Sequence, residues 1–240
     1  MKKKLLLTVW LLVPVGLLAY HYGPGQSGVT RDSVAALIER AQQCEKAESW
    51  ASAIEFYGKA LASLPADPKA TRHQVRLAQA RARMFNGGLP EAMADIENLL
   101  LDMQRDDAAP TAVREARASL GTAQYYAGWL MRLEGAAKDE WMPVVDSARQ
   151  NFRLLAEETQ KQDTLGAVDY QKNLEATIRL ARMDLTELEG LPLPKECQNC
   201  SNCSQKTRKQ RESLAKKPVE KEPKDARGAG FAKRPEGPGS

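Results

Sequence analysis

Three cysteines lie close together near the carboxyl end of the chain, and their spacing is typical of chemistry that thiolates perform. Cys197, Cys200 and Cys203 form a C-x2-C-x2-C pattern within the segment KECQNCSNCSQ. Covalent haem attachment requires a histidine directly after C-x-x-C, and serines stand there instead. An iron–sulfur cubane or a structural zinc ion needs a fourth ligand, which would have to come from Cys44, a histidine or another chain. We therefore expect no bound cofactor.

Three interpretations of this cysteine cluster remain: a disulfide clasp, a soft-metal site and a chemically idle cluster. In an oxidising compartment disulfides persist, so two of the three thiols would pair within C-x2-C and leave the third for a partner chain. Such a bridge closes a very short loop and restricts the unfolded chain little. We therefore expect the clasp to join the domain to the tail without supporting the core.

The amino terminus indicates export or membrane attachment. Three lysines, Lys2 to Lys4, precede sixteen residues without a charge. The apolar stretch 5–22 is near the lower limit for crossing a bilayer, and it lacks a convincing pair of small residues for signal cleavage. We favour a single-pass anchor in the inner (cytoplasmic) membrane over a cleaved signal. The lysines would stay in the cytoplasm, which places everything after Tyr22 on the periplasmic side.

Charge is distributed unevenly along the chain. Residues 206–240 hold eleven Lys and Arg against five Asp and Glu, a balance of +6, so the rest of the chain carries −2 of the total of +4. This mixed pattern argues against specific nucleic-acid binding by the tail. It is compatible with weak contact between the tail and anionic lipid or cell-wall polymer. Composition divides the chain into five segments. They are a membrane anchor or signal (1–22), a Gly- and Pro-containing linker (23–32), a helical domain (33–190), a cysteine-containing junction (191–205) and a disordered basic tail (206–240).

Residues 34–65 show apolar side chains at helical spacing on both sides of a turn near Glu48 and Ser49. This segment resembles one tetratricopeptide repeat, a helix–turn–helix unit of 34 residues. Leu37 stands where the family has tryptophan, and Cys44 stands where tyrosine is common. The small, aromatic and proline positions of the family pattern are matched by Ala41, Trp50, Ala53, Tyr57, Ala60 and Pro65.

Two more divergent units follow, and a capping helix ends the domain. The second spans 74–104, with five extra residues expected around ADPKATRHQ. The third contains the dipeptide Leu120–Gly121, typical of the family's first helix, and a return helix from near Glu140. A last helix should run to Gly190, with Leu174, Ile178, Ala181 and Leu185 on one face. The fold class predicted is all-α: a TPR-like helical-hairpin solenoid with an N-terminal transmembrane helix or signal and a disordered C-terminal tail.

The sequence contains no convincing catalytic constellation. His21 and His73 are isolated, and no Gly-rich phosphate loop follows a strand pattern. The paired carboxylates along the helical region are explained by solvated helix faces. We therefore predict that the protein is not an enzyme.

The resemblance implies a groove in which the first helices of successive repeats bind a protein or peptide. Its predicted residues are Gln42, Glu45 and Lys46 on the first unit, and Thr122, Tyr125 and Tyr126 on the third. The competing interpretation is that Tyr125 and Tyr126 fill the core. By analogy with such proteins, we expect a membrane-tethered interaction scaffold or assembly factor of the cell envelope. The alternative is an envelope protein that handles redox equivalents or soft metals through its cysteine cluster.

Overall fold

The computed structural model describes residues 24–65, 69–160, 164–194 and 203–207, together with residues 10, 13, 14, 197, 200 and 209. Over these residues the chain is helical and contains no strand, so the all-α prediction is confirmed. None of the described helices is long and apolar enough to cross a membrane. The predicted anchor at 5–22 lies almost wholly outside the described residues, as does most of the predicted tail.

The helices are arranged as successive hairpins. Each of the first six helices packs against the next along the chain, the third also contacts the fifth, and the fifth contacts the eighth. Residues 203–207 form one further helical turn. The helices are α1 (Pro24–Lys46), α2 (Trp50–Ser63), α3 (Lys69–Phe85), α4 (Leu89–Arg105), α5 (Pro110–Leu133), α6 (Lys138–Gln160), α7 (Thr164–Arg182) and α8 (Leu185–Glu189).

Four of the helix ends use the same reversal of the backbone. A residue with positive φ follows α1, α3, α4 and α5, and these residues are Glu48, Gly87, Asp107 and Gly135. The residue after each donates its N–H to a carbonyl five positions earlier, at 2.8 to 3.0 Å, as in Ser49 to Cys44. This is the Schellman pattern, which satisfies the last carbonyls of a helix and turns the chain back on itself. Glycine adopts the conformation at little cost, whereas Glu48 and Asp107 adopt it with some strain.

Small residues allow the helices to approach closely. Ala41, Ala53 and Ala60 are fully buried beside Tyr57, at the positions that the repeat pattern predicted. On α5, glycine allows a similarly close approach to the next helix. A Cβ added to Gly128 would lie 2.4 Å from Val145 Cγ2 on α6, well inside contact distance.

The segment that was predicted as a linker is largely helical, and so is part of the predicted insertion in the second unit. The linker expected at 23–32 is part of α1 from Pro24 onward. Proline fits the first turn of a helix because its missing N–H would have no partner there, and isolated glycines weaken a helix without ending it. In the second unit, the part of the insertion from Lys69 onward belongs to α3.

The final helix breaks where the sequence predicted continuity. Asp184 caps α8, and its carboxylate accepts the Glu187 N–H at 2.7 Å. Aspartate competes for backbone N–H groups in this way and so favours a new helix start. As a result Leu185, predicted to face the core, is 43% exposed, and Leu188 is fully buried instead.

A buried arginine holds the end of α7 against α5. The Arg132 guanidinium donates hydrogen bonds to the carbonyls of Leu180 and Met183, the latter at 2.6 Å. It also lies 4.7 Å from the centre of the Trp141 ring. These carbonyls have lost their helical partners at the break, so the charged donor satisfies them and links three helices.

Candidate functional site

The predicted groove residues of α1 differ in their environments. Gln42 and Lys46 are exposed, whereas Glu45 is half-buried and accepts a hydrogen bond from Tyr57 on α2. Burial raises the pKa of Glu45, although that hydrogen bond and Arg81 on α3 act in the opposite direction. Burial and the nearby Glu45 also raise the pKa of Tyr57. Glu45 therefore faces the next hairpin rather than open solvent.

Arg81 connects three helices that are not neighbours in sequence. Its Nε donates to Ser119 Oγ and its Nη1 donates to Glu115 Oε1 on α5, both at 2.9 Å, while it interacts electrostatically with Glu45 on α1. Charges of alternating sign thus cross from α1 through α3 to α5. Arg81, Ser119 and Glu115 were not among the predicted groove residues. One sequence feature could have indicated this role. Arg81 lies one helical turn after Leu77, on the apolar face of the helix, and a charge near a buried position requires a partner.

The three predicted groove residues of α5 meet at one cavity. It has a volume of about 100 Å³ and lies between α5, α6 and α7. The α1 residues do not line it. Its walls are Thr122, Tyr125, Tyr126, Phe152, Asn173 and Ala176.

Tyr125 and Tyr126 belong partly to the core and partly to the cavity wall. Both are half-buried, and their rings meet edge to face with centres 5.3 Å apart. Tyr125 also meets Trp129 edge to face at 5.9 Å, and burial raises the pKa of its hydroxyl. Both interpretations of the tyrosines therefore describe part of the arrangement. Thr122 donates its hydroxyl to Ala118 O at 3.0 Å, which leaves its oxygen able to accept.

The cysteine junction packs onto the carboxyl-terminal half of α5. Cys203 N–H and Ser204 N–H each donate to a carboxylate oxygen of Glu134, both at 2.6 Å. Cys197 Sγ lies 4.0 Å from Tyr126 O. Cys197 and Cys203 are buried in the largest apolar cluster of the described residues. Two cysteines of the junction therefore belong to the core, and Glu134 holds the segment against the helices. The small effect of a clasp on stability stays a prediction.

Cys200 and Cys203 form a pair of unequal thiols. The Cys203 thiol donates a hydrogen bond to the Cys200 sulfur, which also accepts the Leu89 N–H at the start of α4. The Cys203 hydrogen bond is the main cause that lowers the pKa of Cys200 to about 7, and Lys206 acts in the same direction. The same hydrogen bond, burial and the negative Glu134 raise the pKa of Cys203. The pair is thus polarised, with its negative charge favoured on the more exposed sulfur.

The described residues form neither the disulfide clasp nor the soft-metal site that were predicted for the cysteine cluster. All four cysteines are described, and no disulfide joins them. Among the residues whose placement is described, no group of three or more His, Cys, Asp or Glu side chains is arranged to hold a metal ion. The clasp and the soft-metal site both stay predictions.

Comparisons with protein-family models, curated proteins and solved structures find no match for this chain.

Proposed function

We propose that this protein is a TPR-like interaction scaffold or assembly factor that is tethered to the inner membrane and binds a segment of another protein in the cell envelope. The observation that supports it is Arg81, which joins α3 to α5 and faces Glu45 of α1. These contacts set the first helix of each hairpin beside the next. In the family that the sequence resembles, that row of helices forms the binding face.

The chemistry of this face favours a polar chain segment with an apolar or aromatic side chain. Exposed Gln42 and Lys46 offer hydrogen-bond donors at one end. At the other end, the cavity beside Tyr125 and Tyr126 combines ring surface with hydroxyl groups. Tyrosines suit recognition because they give large contact area and a polar tip. A segment that crosses both regions would also pass the alternating charges around Arg81.

Site-specific photocrosslinking in the native envelope tests the proposal. A photoreactive phenylalanine analogue would replace Gln42 on the proposed face or, as a matched control, Gln150 on the outer surface of α6. Both glutamines are exposed. We expect a discrete adduct from position 42, identified by mass spectrometry, and none from position 150. Equal adducts at both positions, or adducts at position 150 alone, would contradict the proposal.

The tether and its orientation need a separate measurement. The proposal places the helical domain beyond a membrane segment at 5–22, with Lys2 to Lys4 on the cytoplasmic side. A reporter enzyme that matures only outside the cytoplasm, fused after Ser240, should be active. Activity of a reporter that functions only in the cytoplasm would refute the export part and leave the groove untouched.

A further inference from the structure

We propose that Cys200 and Cys203 form a dithiol that exchanges with disulfides, with Cys200 as the attacking thiol and Cys203 as the resolving thiol. The substrate class is a disulfide on a small thiol compound or an accessible protein segment. The proposal goes beyond the scaffold function and does not depend on the groove. It rests on which two sulfurs the fold pairs and on how differently it exposes them.

The fold selects one pair from the three cysteines of the cluster. The sulfur of Cys200 accepts a hydrogen bond from the thiol of Cys203, whereas the sulfur of Cys197 points to the carbonyl of Tyr126. Cys203 is held in place because its own N–H donates to Glu134 at 2.6 Å. Sequence spacing alone treats the Cys197–Cys200 and Cys200–Cys203 pairs as equal. The contacts of Cys197 with Tyr126 and of Cys203 with Glu134 distinguish the two pairs.

Exposure assigns the two roles. Cys200 is half-buried and reachable, whereas Cys203 is fully buried. A disulfide substrate can therefore approach only Cys200. The groups that face its sulfur are the Cys203 thiol, the Leu89 N–H, Lys206 and Glu134; the first three favour the thiolate and the last opposes it. The N–H of Leu89 is the first of α4, and helix amino termini stabilise thiolates.

The exchange conserves atoms and charge. The Cys200 thiolate attacks one sulfur of a disulfide R–S–S–R′, which forms a mixed disulfide and releases R′–S⁻. The Cys203 thiol then loses its proton and attacks the Cys200 sulfur, which forms the intramolecular disulfide and releases R–S⁻. The two product thiolates take up the two protons that the cysteines lost. The protein dithiol is oxidised by two electrons and the substrate disulfide is reduced by two.

The ionisation of Cys200 has a measurable consequence. With a pKa of about 7, roughly half of the thiol is ionised at pH 7, against about 3% for an ordinary cysteine whose pKa is about 8.5. The thiolate fraction is therefore about fifteenfold higher than in an ordinary cysteine. The more stable thiolate is, however, about fivefold less nucleophilic. The rate of alkylation should therefore be only about threefold higher than usual. Its midpoint in pH is the sharper signature, near pH 7 instead of about pH 8.5.

The test uses the full-length protein and glutathione. The protein is equilibrated in buffers from fully reduced to fully oxidised glutathione, alkylated and digested with trypsin. Cleavage after Lys195 and Lys206 releases one peptide with all three cysteines, so fragmentation must locate the bridge. We expect the oxidised peptide to carry its alkyl group on Cys197 and the disulfide between Cys200 and Cys203. A bridge that includes Cys197, or no bridge at any glutathione ratio, would overturn the proposal.

Two single variants test the roles. Cys203→Ser should accumulate a glutathione adduct on Cys200, because the resolving thiol is missing. Cys200→Ser should leave Cys203 without an adduct, because that sulfur is buried. Cys44→Ser on α1 is the matched control and should form the bridge as the parent protein does. Equal adducts in the first two variants would refute the assignment, and the mapping on the unaltered protein decides the pairing if a variant does not fold.

Discussion

Replacement of Gly128 with alanine measures how closely α5 and α6 approach. In an open helix this change should stabilise the protein by about 1 kcal/mol, because alanine is the better helix former. Here the new Cβ would lie 2.4 Å from Val145 Cγ2, and Val145 is fully buried. Valine in a helix strongly prefers one rotamer, so the contact must be relieved by moving a helix. Overpacking of this kind costs about 1–3 kcal/mol.

The net expectation for Gly128→Ala is therefore a loss of up to about 2 kcal/mol in the free energy of unfolding. The melting temperature should fall by about 2–4 °C for each kcal/mol lost. Gly58 on α2 is the matched control, because a Cβ there would meet only the end of the Gln79 side chain, at 3.3 Å. Gly58→Ala should leave the melting temperature unchanged or raise it.

A double-mutant cycle with Val145→Ala identifies the cause. Removal of the valine methyl groups should remove most of the penalty of Gly128→Ala, so the two changes should be non-additive by about 1 kcal/mol or more. Circular dichroism melts of the four proteins supply the cycle. A Gly128→Ala variant about 1 kcal/mol more stable than its parent, or additive effects in the cycle, would show that the helices are not in this close contact.

Three further predictions concern other contacts. Ala53→Leu should cost about 1–3 kcal/mol because the position is fully buried, and an unchanged melting temperature would contradict the close helix packing there. Glu134→Gln should increase the rate at which native Cys203 is alkylated, since the carboxylate that holds its N–H is lost; an unchanged rate would show that Glu134 is not needed. The hydrogen bond from Arg76 lowers the pKa of Asp102, so its contribution to stability is complete above about pH 4 and is lost as the pH falls through the lowered pKa. The difference in melting temperature between the parent and Asp102→Asn should therefore be constant near neutral pH and shrink below about pH 4, and a difference that persists in strong acid would contradict this.

The helical core was largely predictable because its signals are local. Small residues at Ala41, Ala53 and Ala60 recur at helical spacing, and all three are fully buried. The boundaries were less predictable because each depends on competition between helix propensity and a single polar group. Asp184 ends one helix by capping the next, which periodicity in the apolar residues cannot reveal.

The candidate sites were predicted only in part. Thr122, Tyr125 and Tyr126 share a helix face, so their common cavity follows from spacing once α5 is recognised. The role of Arg81 depends on partners 34 and 38 residues away. Likewise, the C-x2-C-x2-C spacing does not distinguish Cys197 from Cys203 as the partner of Cys200. Such choices are set by tertiary contacts, which a single sequence does not encode in any local pattern.

The docking of the cysteine junction has a consequence for the order of folding events. Each of α1 to α7 packs against its neighbour in sequence, and contacts of this kind form quickly because little chain must be closed. The junction instead contacts Tyr126 on α5 and Glu134 directly after that helix, 69 to 71 residues earlier in the chain. It can therefore dock only after the hairpins exist, and it can detach without separating any of them. We expect amide hydrogens of residues 203–207 to exchange with solvent faster than those of α5, through an opening that leaves the helical array intact.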